Sequence, residues 1–382
     1  MTTTSPMTLS QGIISPGFEP VRQAFETLLA GRPGFGAAVA VYVDGRACVD
    51  LWGGSYQADS VQLVFSATKG MSAVVLNLMA MRQEIDLDAP VASVWPEFGA
   101  AGKQHIPIRW LLTHQAGLPG VDRPMSMADI IAGRPLVHAL EAQAPMWEPG
   151  TAHGYHALTI GALVGEVVLR TSGRTLGTYF AEEVAAPLGL SSWIGLPPDV
   201  VNRVVPVRVN ERSATAVVND EITLVRNDPT SIHNRVYTNP PLLPLEWNDP
   251  AVLAAEIPAA SGISDARSLA RMYAACIGEV NGTRLLDEAA IDQATTVYDD
   301  GIDQVNLEPS RFGLGFMLPF PRLPFGGRRA FGHDGLGGAL SFADPDIDMS
   351  FGFTTDLVPE LAGADSEAWD LVRAARACVA GC

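Results

Sequence analysis

The stretch Leu63–Val75, LVFSATKGMSAVV, sets a serine three residues before a lysine at the head of an apolar run. The chain of 382 residues holds 23 arginines but only two lysines, Lys69 and Lys103. Arginine serves at every other basic position, and in a protein it cannot give up its proton. A position that keeps lysine therefore points to an amine that can turn neutral. From Ser66 to about Met81 the run lacks proline and is rich in Ala, Met, Leu and Val. That composition predicts a buried helix with Ser66 as N-cap or first-turn residue. Residues three apart share a helix face, so the Lys69 amine can reach the Ser66 hydroxyl.

A serine hydroxyl is a weak nucleophile until a base removes its proton. Lysine can be that base only if its pKa falls from about 10.4 toward 7, which costs on the order of 4 kcal/mol. Burial in an apolar helix supplies shifts of this size. A net charge of −17 opposes the shift, but surface charges are screened beyond about 8 Å at physiological salt. The start of a helix also offers backbone N–H groups suited to an oxyanion. The bland alternative is a serine that merely caps and a lysine that snorkels from the helix surface.

Apolar residues at 47% and charged residues at 18% describe a folded chain with a large core. Its length favours two substructures. The acidic balance disfavours nucleic acid and anionic membrane as partners. No basic segment leads into an apolar core at the N-terminus, and no run approaches the roughly 20 apolar residues of a membrane span. Cys48, Cys276, Cys378 and Cys382 show no C-x-x-C spacing. Reduced cysteines and a cytoplasmic location are the expectation.

Around this helix, FGAAVAVYVDGRACVDLWGG predicts a hairpin turning at Asp44-Gly45. From about Leu87 to Leu190 the periodicity is helical, broken by Pro and Gly. Residues 196 to 260 read as loops and short elements. ISDARSLARMYAACIG is helical again, FGLGFML reads as a strand, and GALSFADPDIDMSFGFTT as a hairpin turning at Asp344-Pro345-Asp346. A last helix runs from roughly Ser366 to Val379. Strands at both chain ends should share one antiparallel sheet, since a lone hairpin is not stable. The expected architecture is α/β (α+β): residues 1–84 and 255–382 around an antiparallel sheet flanked by helices, with 85–254 as a mostly helical insertion.

Two further segments bear on Ser66. GTAHGYHALTIGALVGEVV places Tyr155 just before a helical run, and AFGHDGLGGALSF places a Gly-rich turn before a strand. Taken in order, LVFSATKG, IPIRWLLTHQAGLPG, WEPGTAHGYH, PAASGISDARSLARM, FGLGF and FGHDGLGG resemble the serine β-lactamase and penicillin-binding-protein superfamily. The resemblance is to its class C-like branch and to the family VIII carboxylesterases, and it spans most of the chain. It implies Ser66 as the acylated nucleophile, Lys69 as its partner and Tyr155 as the proton relay. It places His333-Asp334-Gly335 in the strand motif that is Lys-Thr-Gly in class C β-lactamases. It also implies an oxyanion hole from the N–H groups of Ser66 and Leu336.

Two positions depart from the family. Tyr-x-Asn reads Tyr155-His156-Ala157, and the cation of Lys-Thr-Gly is replaced by His333, mostly neutral at pH 7, with anionic Asp334 beside it. His156 and the His333–Gly335 motif remain substrate-binding candidates. Both departures favour short neutral esters over penicillins, with a β-lactamase or a D-amino-acid amide hydrolase as the alternative. No cofactor is implied.

Competing readings are weaker. His153, His156 and His333 lack a Glu or Cys to complete a zinc set, and Gly154 weakens a helix there. His114 reads as structural. The G-x-S-x-G elbow is absent, GISDA around Ser264 lacking the second glycine. A non-catalytic binding protein could keep the fold, but a scaffold has no reason to spend one of two lysines on this helix.

Overall fold

The structure is a computed structural model that describes residues 9–209, 221–240, 246–321, 323–358 and 366–381. Its centre is a six-stranded antiparallel sheet built from β1 (Ser10–Ile14), β2 (Ala37–Val43), β3 (Arg46–Gly53), β4 (Phe331–Asp334), β5 (Leu340–Asp344) and β6 (Met349–Thr355). The strand order is β1-β3-β2-β6-β5-β4. The two ends of the chain meet where β2 pairs β6, with Val39 opposite Phe353. Each hairpin supplies half a sheet, and neither half is stable alone.

Every residue of β6 is buried, because helices cover both faces. Met349, Phe351 and Phe353 point to one side. There they share a core with Phe18, Val21 and Phe25 near or on helix α1 (Glu19–Gly31), and with Leu371, Val372 and Ala375 of a C-terminal helix, Ser366–Ala380. Ser350 faces the other side, where its hydroxyl donates to Ala270 O at 2.7 Å. Ala270 lies in a helix, Ala266–Ile277, whose first turn is capped by the Asp265 carboxylate accepting from Ser268 N.

Helix α2 (Ala67–Met81) is buried from Ala67 through Met79 and crosses the larger core behind β4. Its composition is close to uniformly apolar, as a helix surrounded by protein requires. Between α2 and Ala254 the described residues form mostly short helices, including Ile108–Leu112, Arg134–Ala142 and a longer one, Thr159–Ser172, with a short strand, Ser192–Ile194, pairing Gly262–Ser264.

Two local expectations are corrected. FGLGFML is not a strand: Pro309–Phe312 pairs Asp299–Ile302, and the chain then bends at Gly313–Phe316 before Met317 bridges Gly332. The two glycines supply turn freedom that the apolar pattern hides. Within ISDARSLARMYAACIG the first residues form a strand, Gly262–Ser264, that pairs Gln62–Leu63, and the helix starts at Ala266.

Candidate active site

Ser66 immediately precedes α2 with helical backbone angles, yet its side chain makes no cap hydrogen bond. Phe65 before it sits at φ 47°, a left-handed conformation that costs a non-glycine residue energy. Three contacts hold the turn. Val64 N donates to Gly262 O at 2.9 Å, Gly262 N donates to Thr68 Oγ1 at 2.8 Å, and Thr68 Oγ1 donates to Phe65 O. The hydroxyl that would ordinarily cap the helix is thereby free to face Lys69.

The Lys69 Nζ lies 3.0 Å from Ser66 Oγ, 2.8 Å from Ala157 O and 2.9 Å from Ala259 O. Carbonyls accept only, so two of the amine's directions must carry protons. The third points at the serine, where a neutral amine presents its lone pair. Burial lowers the Lys69 pKa to about 7, against an opposing pull from Asp334. Lys69 is 3% exposed, so desolvation is the larger influence.

Tyr155 sits in an irregular stretch just ahead of the Thr159–Ser172 helix. Its ring lies 4.7 Å from the Lys69 Nζ and stacks at 6.4 Å on Phe312. Burial raises its pKa well above the ordinary 10, while a hydrogen bond with the Ser66 hydroxyl pulls the other way. Tyr155 is therefore a neutral phenol at pH 7. The geometry brings Ser66, Lys69 and Tyr155 together.

Strand β4 carries the third motif to the same place. Gly70 on α2 has no side chain to keep His333 away, and an added Cβ would meet the Tyr273 hydroxyl and, at 3.5 Å, the His333 Cβ. At Gly335 an added Cβ would collide with Val64 O and lie 3.4 Å from Ala67 N. Only glycine lets the end of β4 pack so tightly on the Ser66 turn. This contact sets the end of β4, with Gly335, directly against the turn that carries Ser66.

His333 itself is fully buried, its Nδ1 2.7 Å from Asp334 O, and its Nε2 has no hydrogen-bond partner among the described residues. Burial and nearby Lys69 lower its pKa to about 3, so it carries no charge at neutral pH. Asp334 is close enough to influence both Lys69 and Tyr155 electrostatically.

His156 does not face the cleft, which corrects its place among the substrate-binding candidates. It is fully buried, its Nδ1 lies 2.6 Å from Gly154 O and its Nε2 accepts from Leu118 N at 3.0 Å. Both nitrogens are taken by backbone groups, and desolvation holds the pKa at about 4. His114 accepts from His156 N at 3.1 Å while its own carbonyl takes Gly154 N, so it shapes the Tyr155 loop. His153 points elsewhere, toward Asp299 and Ser310. Among the described residues no group of His, Cys, Asp and Glu is placed to hold a metal ion.

A family model described as Beta-lactamase matches residues 21–376. The chain belongs to the Beta-lactamase family. It is 35% identical over 354 residues to Esterase/beta-lactamase LipL of Mycobacterium tuberculosis, covering 89% of this chain and 81% of that one. EstA from Arthrobacter nitroguajacolicus Rue61a superposes with a TM-score of 0.88 at 36% identity, over 97% of this chain and 99% of that one. The crystal structure of a family VIII carboxylesterase superposes with a TM-score of 0.87 at 35% identity, with the same coverage. The expected superfamily and its sheet-and-helix fold are thus borne out.

Sequence reading missed the backbone partners of the catalytic candidates. Ala157 O and Ala259 O are contributed as carbonyls, which leave no side-chain signature. Asp303, whose carboxylate accepts from Tyr155 N at 2.9 and 3.1 Å, was also missed. Its only signal is an Asp two and three residues ahead of N–H groups it accepts, an ordinary turn cue.

Proposed function

We propose that this member of the Beta-lactamase family is a serine carboxylesterase acting on short neutral acyl esters through an acyl-Ser66 intermediate. The observation that carries the reading is the Lys69 amine, 3.0 Å from Ser66 Oγ with its other two directions fixed on carbonyls. Lys69 takes the Ser66 proton as Oγ bonds to the ester carbonyl carbon, and the N–H groups of Ser66 and Leu336 hold the oxyanion. Collapse breaks the bond to the alkoxide, which Tyr155 protonates, with Lys69 and Tyr155 sharing the mobile proton. Water then hydrolyses the acyl-enzyme by the reverse path.

Membership of a hydrolase family and relatives named as esterases support the reaction class. The substrate class rests on charge. A penicillin carries a carboxylate, and a desolvated charge without a partner costs several kcal/mol. Where a Lys-Thr-Gly lysine would meet it, this chain has neutral His333 with Asp334 beside it. Two arginines of the loop-rich region are committed to other carboxylates, Arg208 to Asp356 and Arg235 to Asp122; Arg212 lies outside the described residues. Cys276 is a free thiol buried in the core, which supports a reducing, cytoplasmic setting, and no helix among the described residues is long and apolar enough to cross a membrane.

The test compares kcat/KM for p-nitrophenyl acetate or butyrate with that for benzylpenicillin or nitrocefin. The esters should win by at least about a thousandfold, roughly 4 kcal/mol in transition-state binding. Comparable efficiencies would put the β-lactamase reading first.

A further inference from the structure

Tyr155 belongs to no helix or strand, so its backbone lacks the ladder of hydrogen bonds that fixes Ser66 and Lys69. What fixes it is a carboxylate. Asp303 is fully buried and accepts from Tyr155 N with both oxygens, at 2.9 and 3.1 Å. It also accepts from Val305 N and Asn306 N, each at 2.8 Å, and from the Ser310 hydroxyl at 3.4 Å. Behind it, the Ser310 hydroxyl meets His153 Nε2 at 2.8 Å, His153 Nδ1 meets Asp299 at 2.8 Å, and Asp299 accepts from Gln115 Nε2 at 2.8 Å.

We propose that Asp303 is a positioning residue for the reaction: it sets the backbone of Tyr155 so that the phenol stays on Ser66. The inference rests on the role given to Tyr155 above. Four donors converge on Asp303, and every one requires an acceptor. An asparagine would offer one accepting oxygen and, in either orientation, turn its NH2 toward a backbone N–H, that of Tyr155 or those of Val305 and Asn306, leaving a buried donor unmatched. The demand is therefore for an ionised carboxylate, whose hydrogen bonds are stronger than neutral ones. The Tyr155 ring packs with Val305 and Phe312 in a small apolar cluster and lies against the His114 and His333 rings, contacts that do not fix its backbone. A displaced backbone there carries the hydroxyl off Ser66, and misplacement by about 1 Å can cost about a hundredfold in rate.

A strut that merely stabilises the Asp299–Phe312 strand pair would lower activity whatever stands at position 155. A double-mutant cycle separates the two roles. The readout is the rate at which a fluorophosphonate labels Ser66, which depends on activation of the hydroxyl and not on the identity of the ester. A chain that is labelled yet hydrolyses no ester would sink the esterase reading alone. Asp303→Asn should slow labelling by about tenfold or more when Tyr155 is present, and by less than about twofold in a Tyr155→Phe background. Equal slowing in both backgrounds, or no slowing in the first, overturns the proposal. If Asp303→Asn does not fold, Ser310→Ala replaces it. That change removes one of the four donors and the link to His153, and should slow labelling by about threefold with Tyr155 present and not with phenylalanine. Here too, equal slowing or none overturns it.

Discussion

Lys69 and Lys103 are the two amines of a chain otherwise furnished with arginine, and the fold buries both. Each donates to two backbone carbonyls: Ala157 O and Ala259 O for Lys69, Glu141 O and Gln143 O for Lys103. Burial lowers both pKa values, to about 7 and about 8, with Asp334 and Glu141 pulling the other way. The two sites part at the third direction. Lys69 faces the Ser66 hydroxyl at 3.0 Å, while Lys103 sits 5.4 Å from the centre of the Phe98 ring. A depressed amine is thus not by itself a sign of catalysis. What distinguishes Lys69 is a nucleophile in the path of its lone pair.

The comparison breaks most directly at Lys69. Lys69→Arg keeps the charge and about the same reach, but a guanidinium stays protonated and cannot accept the serine proton. Turnover of p-nitrophenyl acetate should fall by at least about a hundredfold, the scale of a lost general base. An arginine variant within about threefold of the parent would refute the base role and leave the two lysines equivalent.

The same contrast marks how far the sequence could be read. Ser66 and Lys69 were legible because a rare residue stood at helical spacing from a nucleophile in an apolar run. The sheet was legible because Asp44-Gly45 and Asp344-Pro345-Asp346 punctuate strong hairpins. Lys103 drew no reading, since nothing local says where its amine goes; its partners lie 38 and 40 residues away. His156 misled for a related reason. It is adjacent to Tyr155 in sequence, but its ring turns into the interior to satisfy Leu118 N and Gly154 O. Asp303 was hidden because its essential contact spans 148 residues. FGLGFML failed because glycines broke a strand that the apolar spacing suggested.

A pH profile sharpens the comparison. Folding lowers the Lys69 pKa from 10.5 to about 7, so between those values the folded chain binds fewer protons there than the unfolded one. The Lys69 contribution to stability therefore falls as pH falls through that window. Activity has the same sign, because the base must be the free amine. The acid limb of kcat/KM should have its midpoint near pH 7, with about tenfold lower activity at pH 6 than at pH 8. Tyr155, pushed well above 10, should place no limb in this range. A profile flat from pH 6 to 8 would mean that Lys69 does not titrate in the rate-determining step.

The smallest effect on rate should come from Lys103. Lys103→Met keeps a buried apolar stem and removes the amine, leaving Glu141 O and Gln143 O without this donor at the end of the Arg134–Ala142 helix. An unsatisfied buried acceptor costs about 1–3 kcal/mol. Part of that loss is offset at neutral pH, because the variant no longer desolvates an ammonium whose pKa burial has lowered. The net destabilisation should be smaller, about 1–2 kcal/mol, and appear as a lower urea midpoint with unchanged slope. Turnover in the folded fraction should stay within about threefold of the parent, and the acid limb should stay near pH 7, because the group that titrates there is Lys69. If Lys103→Met moved that limb, or cost as much activity as Lys69→Arg, the second lysine would belong to the chemistry. The line drawn here between a base and a strut would then be gone.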